Sequence, residues 1–368
     1  MALYFSDKRL SDIEKKVVEG IRLSFADAAL LYESSDLTGV GQLADMVRRK
    51  KHGKKAFFIY NQHLNYSNVC RNRCVFCAYA RDDGENGAYT YSLDDVRKRL
   101  LEKIDEPIRE IHMVGGLNPK LDFDYYIGLL KVIKEVRPDA VIKAFTAVEI
   151  DYLSNISGLS INDVIAKLKE AGLSMMPGGG AEVMSERVWK ELFPKKIGGK
   201  RWLEIIEAVH KAGITTNATM LYGHIETMEE RINHLIQLRE LQDRTGGFSA
   251  FIPLAFHSQN TKLSKLPETN GIDDLKTVAV SRLMLDNFDH IKAYWVMLGE
   301  KTAQIALSFG ADDLDGTIME EKITHMAGAS SPKGLTRQSL ENLIVSAGFT
   351  PVERDSFYNA VSEIKGGC

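Results

Sequence analysis

Apolar positions along this chain follow two periods in turn, and their alternation predicts the architecture. Up to residue 50 the spacing is helical, with apolar residues recurring every three or four positions over 13–21, 25–31 and 36–49. The basic break Lys50-Lys51-His52-Gly53-Lys54-Lys55 then reads as a solvated turn. From residue 56 onward, short β-rich runs take turns with helix-period stretches. Eight runs read as strands: 56–65, 110–116, 141–148, 173–176, 215–222, 249–255, 290–298 and 312–318. Between them, 93–104, 125–135, 161–170, 202–211, 228–242, 273–286 and 302–309 read as helices. One local signature recurs in Ala171-Gly172-Leu173, Ala212-Gly213-Ile214 and Ala347-Gly348-Phe349. In each, a helix ends at a glycine able to turn left-handed, and an apolar run follows.

Strand–helix alternation implies a mainly parallel sheet with helical crossovers, hence the α/β class. Eight such units in this length match a closed (β/α)8 TIM-type barrel; an open six-stranded partial barrel with a C-terminal cap is the alternative. The expected organisation is an N-terminal helical extension over residues 1–55, the barrel over 56–318, and a short C-terminal extension over 319–368 packed on it. That extension should hold one helix near 335–347 and an apolar run at 351–354.

Composition narrows the class of partner. The 368 residues are 44% hydrophobic, enough for a sizeable core, and 47 Lys+Arg nearly balance 50 Asp+Glu. No global field favours nucleic acid or a membrane surface, so a small-molecule substrate is expected. The first residues carry no apolar stretch of signal-peptide length, and no run approaches the roughly 18 apolar residues of a membrane span. Cytoplasmic location follows as the expectation.

Cysteine usage carries the chemistry. Three of the four cysteines stand together in Cys70-Arg-Asn-Arg-Cys74-Val-Phe-Cys77, and the fourth, Cys368, reads as an incidental tail thiol. Three thiolates are one fewer than a 4Fe–4S cube normally takes, which leaves one iron open to bind a small molecule. A zinc site completed by His63 or His112, or a disulfide with a spare thiol, would use the same residues. The C-x3-C-x2-C spacing with aromatic Phe76 before the third cysteine resembles the motif of the radical S-adenosylmethionine superfamily. That resemblance implies a 4Fe–4S cluster on Cys70, Cys74 and Cys77 and S-adenosylmethionine as co-substrate.

The other candidates fall at predicted strand ends, where active sites of such barrels form. Strand 2 ends in Gly115-Gly116-Leu117, whose backbone can approach a ligand closely; the superfamily holds the methionine amine here with Gly-Gly-Glu, and Leu117 replaces that glutamate. Strand 4 ends in Gly178-Gly179-Gly180-Ala181-Glu182, and Glu182 could accept both ribose hydroxyls, with Glu149 a second candidate. Arg187, shortly after, could bind a methionine carboxylate bidentately. Tyr79 stands where the superfamily's backbone meets adenine. Alternation puts Asn61, His63 and Asn65 on one face of strand 1, and His290, Lys292 and Tyr294 on one face of strand 7. Charged side chains such as Lys143 and Lys292 inside barrel strands need either an ion partner or a ligand.

The likeness runs further. Residues 112–119, 142–150, 177–182, 217–226, 251–257, 283–299, 311–317 and 324–329 look like the aminofutalosine synthase family of the futalosine route to menaquinone. Runs such as Asn217-Ala-Thr-Met-Leu-Tyr-Gly-His-Ile-Glu226 carry the match. The resemblance implies a transferase that adds the 5′-deoxyadenosyl radical to 3-[(1-carboxyvinyl)oxy]benzoate. Aryl migration and decarboxylation then yield 6-amino-6-deoxyfutalosine. It also implies an electron donor such as flavodoxin or ferredoxin. Lys143, Lys292, His63 and His224 are then candidates to hold the substrate carboxylates, with His63 and His224 also candidates for catalysis. The cyclic dehypoxanthinyl futalosine synthases and deazaflavin-forming synthases share barrel and cluster and are the alternative readings.

Overall fold

A computed structural model of the chain describes residues 3–319 and 322–363. Its strands are β1 (Lys55–Ile59), β2 (Asn61–Leu64), β3 (Glu110–Met113), β4 (Val141–Ala144), β5 (Met175–Met176), β6 (Thr215–Tyr222), β7 (Phe248–Ala255), β8 (His290–Ile291), β9 (Asp313–Gly316), β10 (Thr350–Arg354) and β11 (Ala360–Glu363). Strands β2 to β8 pair in sequence order, every pair parallel. The ring closes through β9. On one side Lys292 bridges Asp313 and the Ala293 N–H donates to the Asp313 carbonyl at 2.7 Å. On the other, β9 pairs with β1 and Met319 bridges Gln62. Because β1 runs into β2 with only Tyr60 between, eight strand positions complete a closed parallel barrel.

Helices follow the strands and cover the barrel, as their caps and apolar faces dictate. The helix Ile161–Glu170 begins at Ser160, whose side chain accepts from the Asp163 N–H, and buries Val164, Ile165 and Leu168. The Ala-Gly signatures end helices as expected: Gly172, Gly213 and Gly348 all have positive φ. The next residue's N–H returns to the helix, as from Leu173 to the Leu168 carbonyl at 2.9 Å. Before the barrel lie helices Leu10–Glu19, Phe25–Glu33 and Leu37–His52. The last of these runs into the expected solvated turn, which shrinks to exposed Gly53 and Lys54. It carries His52 to its C-terminus, where the imidazole stacks on His290 with ring centroids 4.7 Å apart.

Two predicted strands run on into helix. The run 141–148 stops at Ala144 because Phe145 takes φ 62°, and Thr146 then caps the helix Ala147–Ser157. The run 290–298 stops at Ile291, and Trp295–Leu298 forms a helical turn.

The C-terminal segment does more than cover the barrel. After the helix Arg337–Ser346, β10 pairs parallel with β1 over its whole length, and β11 folds back on β10. The turn between them pushes side chains into the barrel's lower end. Tyr358 stacks on His290, centroids 3.4 Å apart, and the Arg354 guanidinium lies 4.2 Å over the Tyr358 ring. Arg354 donates to Asp313 at 2.5 Å, and the Ser356 hydroxyl donates to Glu110 at 2.8 Å. Above that plug the barrel interior holds three carboxylates, Glu110, Asp313 and Asp315, against three cations, Lys143, Lys292 and Arg354. No helix among the described residues is long and apolar enough to cross a membrane.

Candidate active site

A cavity of about 350 Å³ opens at the C-terminal ends of the strands. Every strand position of the barrel sends residues to it, from Cys70 beyond β2 to Asp315 in β9. The cysteine loop forms one wall. Cys70, Cys74 and Cys77 all line the cavity and are free thiols, which removes the disulfide reading. Local hydrogen bonds shape this loop: Cys70 N–H to the Arg81 carbonyl at 3.1 Å, Cys77 N–H to the Cys74 carbonyl at 3.1 Å, and Val75 N–H to the Leu192 carbonyl at 2.8 Å. Burial pushes the Cys74 thiol up to about 12 and raises that of Cys77, whose sulfur receives backbone N–H groups of Tyr79 and Ala80. Thiols so desolvated become thiolates only beside strong positive charge, which a metal centre provides. Three sulfurs on one loop, facing a cavity and approached by backbone donors, suit a 4Fe–4S cluster. Cys368 lies outside the described residues.

Gly115 and Gly116 border the same wall for a steric reason. A Cβ on Gly115 would lie 2.5 Å from the Tyr66 ring, and one on Gly116 would lie 2.3 Å from the Val69 carbonyl oxygen. The chain leading to the cysteines therefore crosses directly against this turn. Glu149 lies behind it, buried, accepting from the Tyr66 hydroxyl at 2.9 Å, the Gly115 N–H at 3.3 Å and the Thr146 N–H at 2.7 Å. Burial raises its carboxyl to about 7 despite those donors.

Glu182 and Lys196 form an ion pair on the cavity wall. The Lys196 ammonium lies 5.1 Å from the Phe76 ring centroid and 5.6 Å from that of Phe193. Burial would lower this ammonium, but Glu182 and the neighbouring thiols outweigh it and raise it. Among the described residues, Lys196 is the one lysine or arginine that lines the cavity. Nothing in its local sequence, Pro194-Lys195-Lys196, marks it; the signal would have been proximity to the cysteine loop, which only the fold supplies. His63 and His112 stack at 4.5 Å on the inner side of the cavity, and burial drives His112 well below the usual histidine range. His257 joins the opposite side, its Nε2 3.0 Å from the Met297 carbonyl.

Tyr79 lines the cavity, its hydroxyl donating to the Ser67 carbonyl at 3.2 Å and sharing a 2.6 Å hydrogen bond with Tyr89. Four other candidates do not reach the cavity. Arg187 sits on the exposed side of helix Glu186–Leu192, holding Glu230 at 2.7 Å and the Ile225 carbonyl at 2.7 Å, so no face of its guanidinium turns inward. Lys143 is locked 3.2 Å from both oxygens of Glu110, below the cavity. Lys292 pairs with Asp315 at 3.4 Å, and only the aspartate lines the cavity. Burial lowers the Lys292 ammonium to about 8. His224 turns its ring into the wall against Phe256, with Nδ1 2.8 Å from Glu226.

Comparison with known proteins agrees with this geometry. Residues 64–238 match the radical SAM superfamily, and residues 245–365 match the family described as the CofH/MqnC C-terminal region. The chain is 47% identical to the aminodeoxyfutalosine synthase of Thermus thermophilus over 96% of both chains. It is 38% identical to a 5-amino-6-(D-ribitylamino)uracil–L-tyrosine 4-hydroxyphenyl transferase of Methanosarcina barkeri, covering 88% of this chain and 87% of the relative. Methylornithine synthase shares the fold, with a TM-score of 0.72 at 18% identity over 92% of this chain and 97% of that one. With the cysteine loop at the mouth of a closed barrel and near-full-length identity to a named synthase, the chain belongs to the aminodeoxyfutalosine synthase family of the radical S-adenosylmethionine superfamily.

Proposed function

We propose that this protein joins the 5′-deoxyadenosyl unit of S-adenosylmethionine to the vinyl carbon of 3-[(1-carboxyvinyl)oxy]benzoate. Aryl migration and loss of carbon dioxide, with the unpaired electron given back as the carboxylate leaves, then give 6-amino-6-deoxyfutalosine for menaquinone synthesis in the cytoplasm. The carrying observation is 47% identity across 96% of both chains to a protein named for that product. The 38% identity to the hydroxyphenyl transferase supports the alternative reading less strongly.

Cys70, Cys74 and Cys77 would hold a 4Fe–4S cluster. Once bound, the cluster supplies the electron that splits S-adenosylmethionine into methionine and the 5′-deoxyadenosyl radical. The residues around it bind and orient. The Gly115–Gly116 turn presents backbone to the methionine amine, with no side chain in the way. Lys196 is the cation within reach of a carboxylate, the role that Arg187 is placed too far out to fill. Glu182, beside it, offers its oxygens to the ribose. On the inner side, His63 and His112 can donate hydrogen bonds to a substrate carboxylate, His112 without a buried formal charge. Glu149, with a carboxyl raised to about 7, can hold or release a proton near neutrality. The closed base keeps water from entering behind the radical.

Reduced, iron-reconstituted protein should convert the enolpyruvyl benzoate and S-adenosylmethionine to methionine, carbon dioxide and a product of the mass of 6-amino-6-deoxyfutalosine. Formation of 5′-deoxyadenosine alone, with no adduct, would overturn the reading and favour a hydrogen-abstracting relative.

A further inference from the structure

Asn72 stands midway between Cys70 and Cys74, and its side chain goes the opposite way from those beside it. Arg71 is exposed, and the Arg73 guanidinium is taken by the Ala80 carbonyl at 2.7 Å and by Glu85 at 3.1 Å. Asn72 is only 7% exposed and lines the cavity together with the three thiols. The backbone on either side is held in place. The Arg71 N–H donates to the Leu117 carbonyl at 3.1 Å, and Arg73 takes a left-handed φ of 46°, uncommon for a residue other than glycine. Among the described residues, none donates to the Asn72 amide or accepts from it. An amide so far withdrawn from water is costly without a partner, and its position on the cavity wall calls for a ligand there.

The chemistry of the loop selects that ligand. A four-iron centre on three thiolates is anionic, and sulfur in an enclosed anionic centre takes N–H donors. The Cys77 sulfur already receives the backbone N–H groups of Tyr79 and Ala80. Asn72, between the other two cysteines, is placed to supply a donor on their side. A side-chain amide brings two N–H donors and no charge, whereas an aspartate of the same shape would repel the centre.

We propose that the Asn72 amide donates a hydrogen bond to sulfur of the centre held by Cys70, Cys74 and Cys77, and that this bond raises the centre's reduction potential. The inference rests on the reading that these cysteines hold a 4Fe–4S cluster. The reduced cluster carries one more negative charge than the oxidised one, so an N–H donor stabilises it more and the electron is accepted more easily. Asn72 therefore tunes the centre and leaves its open iron free for S-adenosylmethionine.

Potentiometric titration of the iron-reconstituted protein, followed by electron paramagnetic resonance without S-adenosylmethionine, tests this. Asn72→Leu keeps the bulk and removes both N–H groups, and its midpoint potential should be more negative than that of wild type. Asn72→Asp, equal in shape but charged, should be more negative still. With asparagine isotopically labelled at its amide nitrogen, pulsed resonance of the reduced cluster should show a nitrogen coupling in wild type that Asn72→Leu lacks. Equal potentials, or no such coupling in wild type, overturn the inference. A shift that appears only with S-adenosylmethionine bound also overturns it, and puts the amide on the ligand of the open iron instead. Should Asn72→Leu fail to hold the cluster, Asn72→Asp and the wild-type coupling still decide. If wild-type protein assembles no four-iron cluster, the reading of the cysteines falls, and the inference with it.

Discussion

Lys143 and Lys292 lie on the inner face of the barrel, as their alternation predicts, and neither touches the cavity. Alternation reports which face a side chain takes but not how deep along the barrel axis it sits. Strand 7 makes the point: His290, Lys292 and Tyr294 share a face, yet they meet the plug, the ion network and the cavity respectively. Depth depends on shear and on which carboxylates neighbouring strands offer, and neither is written locally. Lys143→Met should therefore cost about 3–5 kcal/mol in urea unfolding, because Glu110 is left charged and buried without its ion-pair partner. The double variant Lys143→Met, Glu110→Leu should recover most of that loss. Arg187 and Lys196 invert the expectation drawn from motif position. Lys196→Met should lower adduct formation at least about tenfold, whereas Arg187→Met, which removes an exposed pair, should leave it within about twofold. A steady-state product assay on both variants separates the two roles.

Among the elements, those with a cap or a left-handed glycine were legible, and those whose ends depend on one unusual dihedral were not. The run at 215–222 is a strand to the residue, and Ile161–Glu170 a helix to the residue. The segment 141–148 is uniformly apolar enough to read as one strand, yet Phe145 at φ 62° divides it into strand and helix. Thr146 and Glu149 then form a capping box, with Glu149 also reaching Tyr66 and the Gly115 N–H. The cap is thus also the buttress of the glycine turn on the cavity wall. Thr146→Val should cost about 1 kcal/mol of stability, and Thr146→Ser should restore it, as thermal unfolding of the two variants would report. The cysteine triplet was legible because its three thiols are close in sequence. The His63–His112 stack was not, since its two rings come from different strands.

For the whole molecule, eight alternating units were enough to anticipate the closed barrel, but the C-terminal hairpin's role was hidden. Pairing between β1 and β10 joins residues nearly three hundred positions apart, and no local pattern records it. Burial of neutral histidines sets the pH response of this body. His234, fully enclosed, accepts the Met184 N–H at Nδ1 and lies 2.9 Å from the Thr219 carbonyl at Nε2, and burial lowers its pKa to about 4. Its folded pKa is below the unfolded value, so its contribution is fully present above about pH 6.5 and is lost as pH falls toward 4. The loss should approach about 3 kcal/mol. Urea midpoints measured between those pH values should decline, and a His234→Gln variant should show a flatter slope. Glu110, which burial alone would raise but which Lys143 and Lys292 hold well below the usual carboxylate range, loses its contribution only in stronger acid.

The plug also imposes an order on synthesis. β1 leaves the ribosome early, but the strand beside it and the arginine that answers Asp313 come from the far end of the chain. Until residues 350–358 emerge, a nascent chain holds Asp313 buried without Arg354 and His290 without its tyrosine. The ring of strands can pair before this hairpin exists, but its lower end stays unplugged until residues 350–358 have been made.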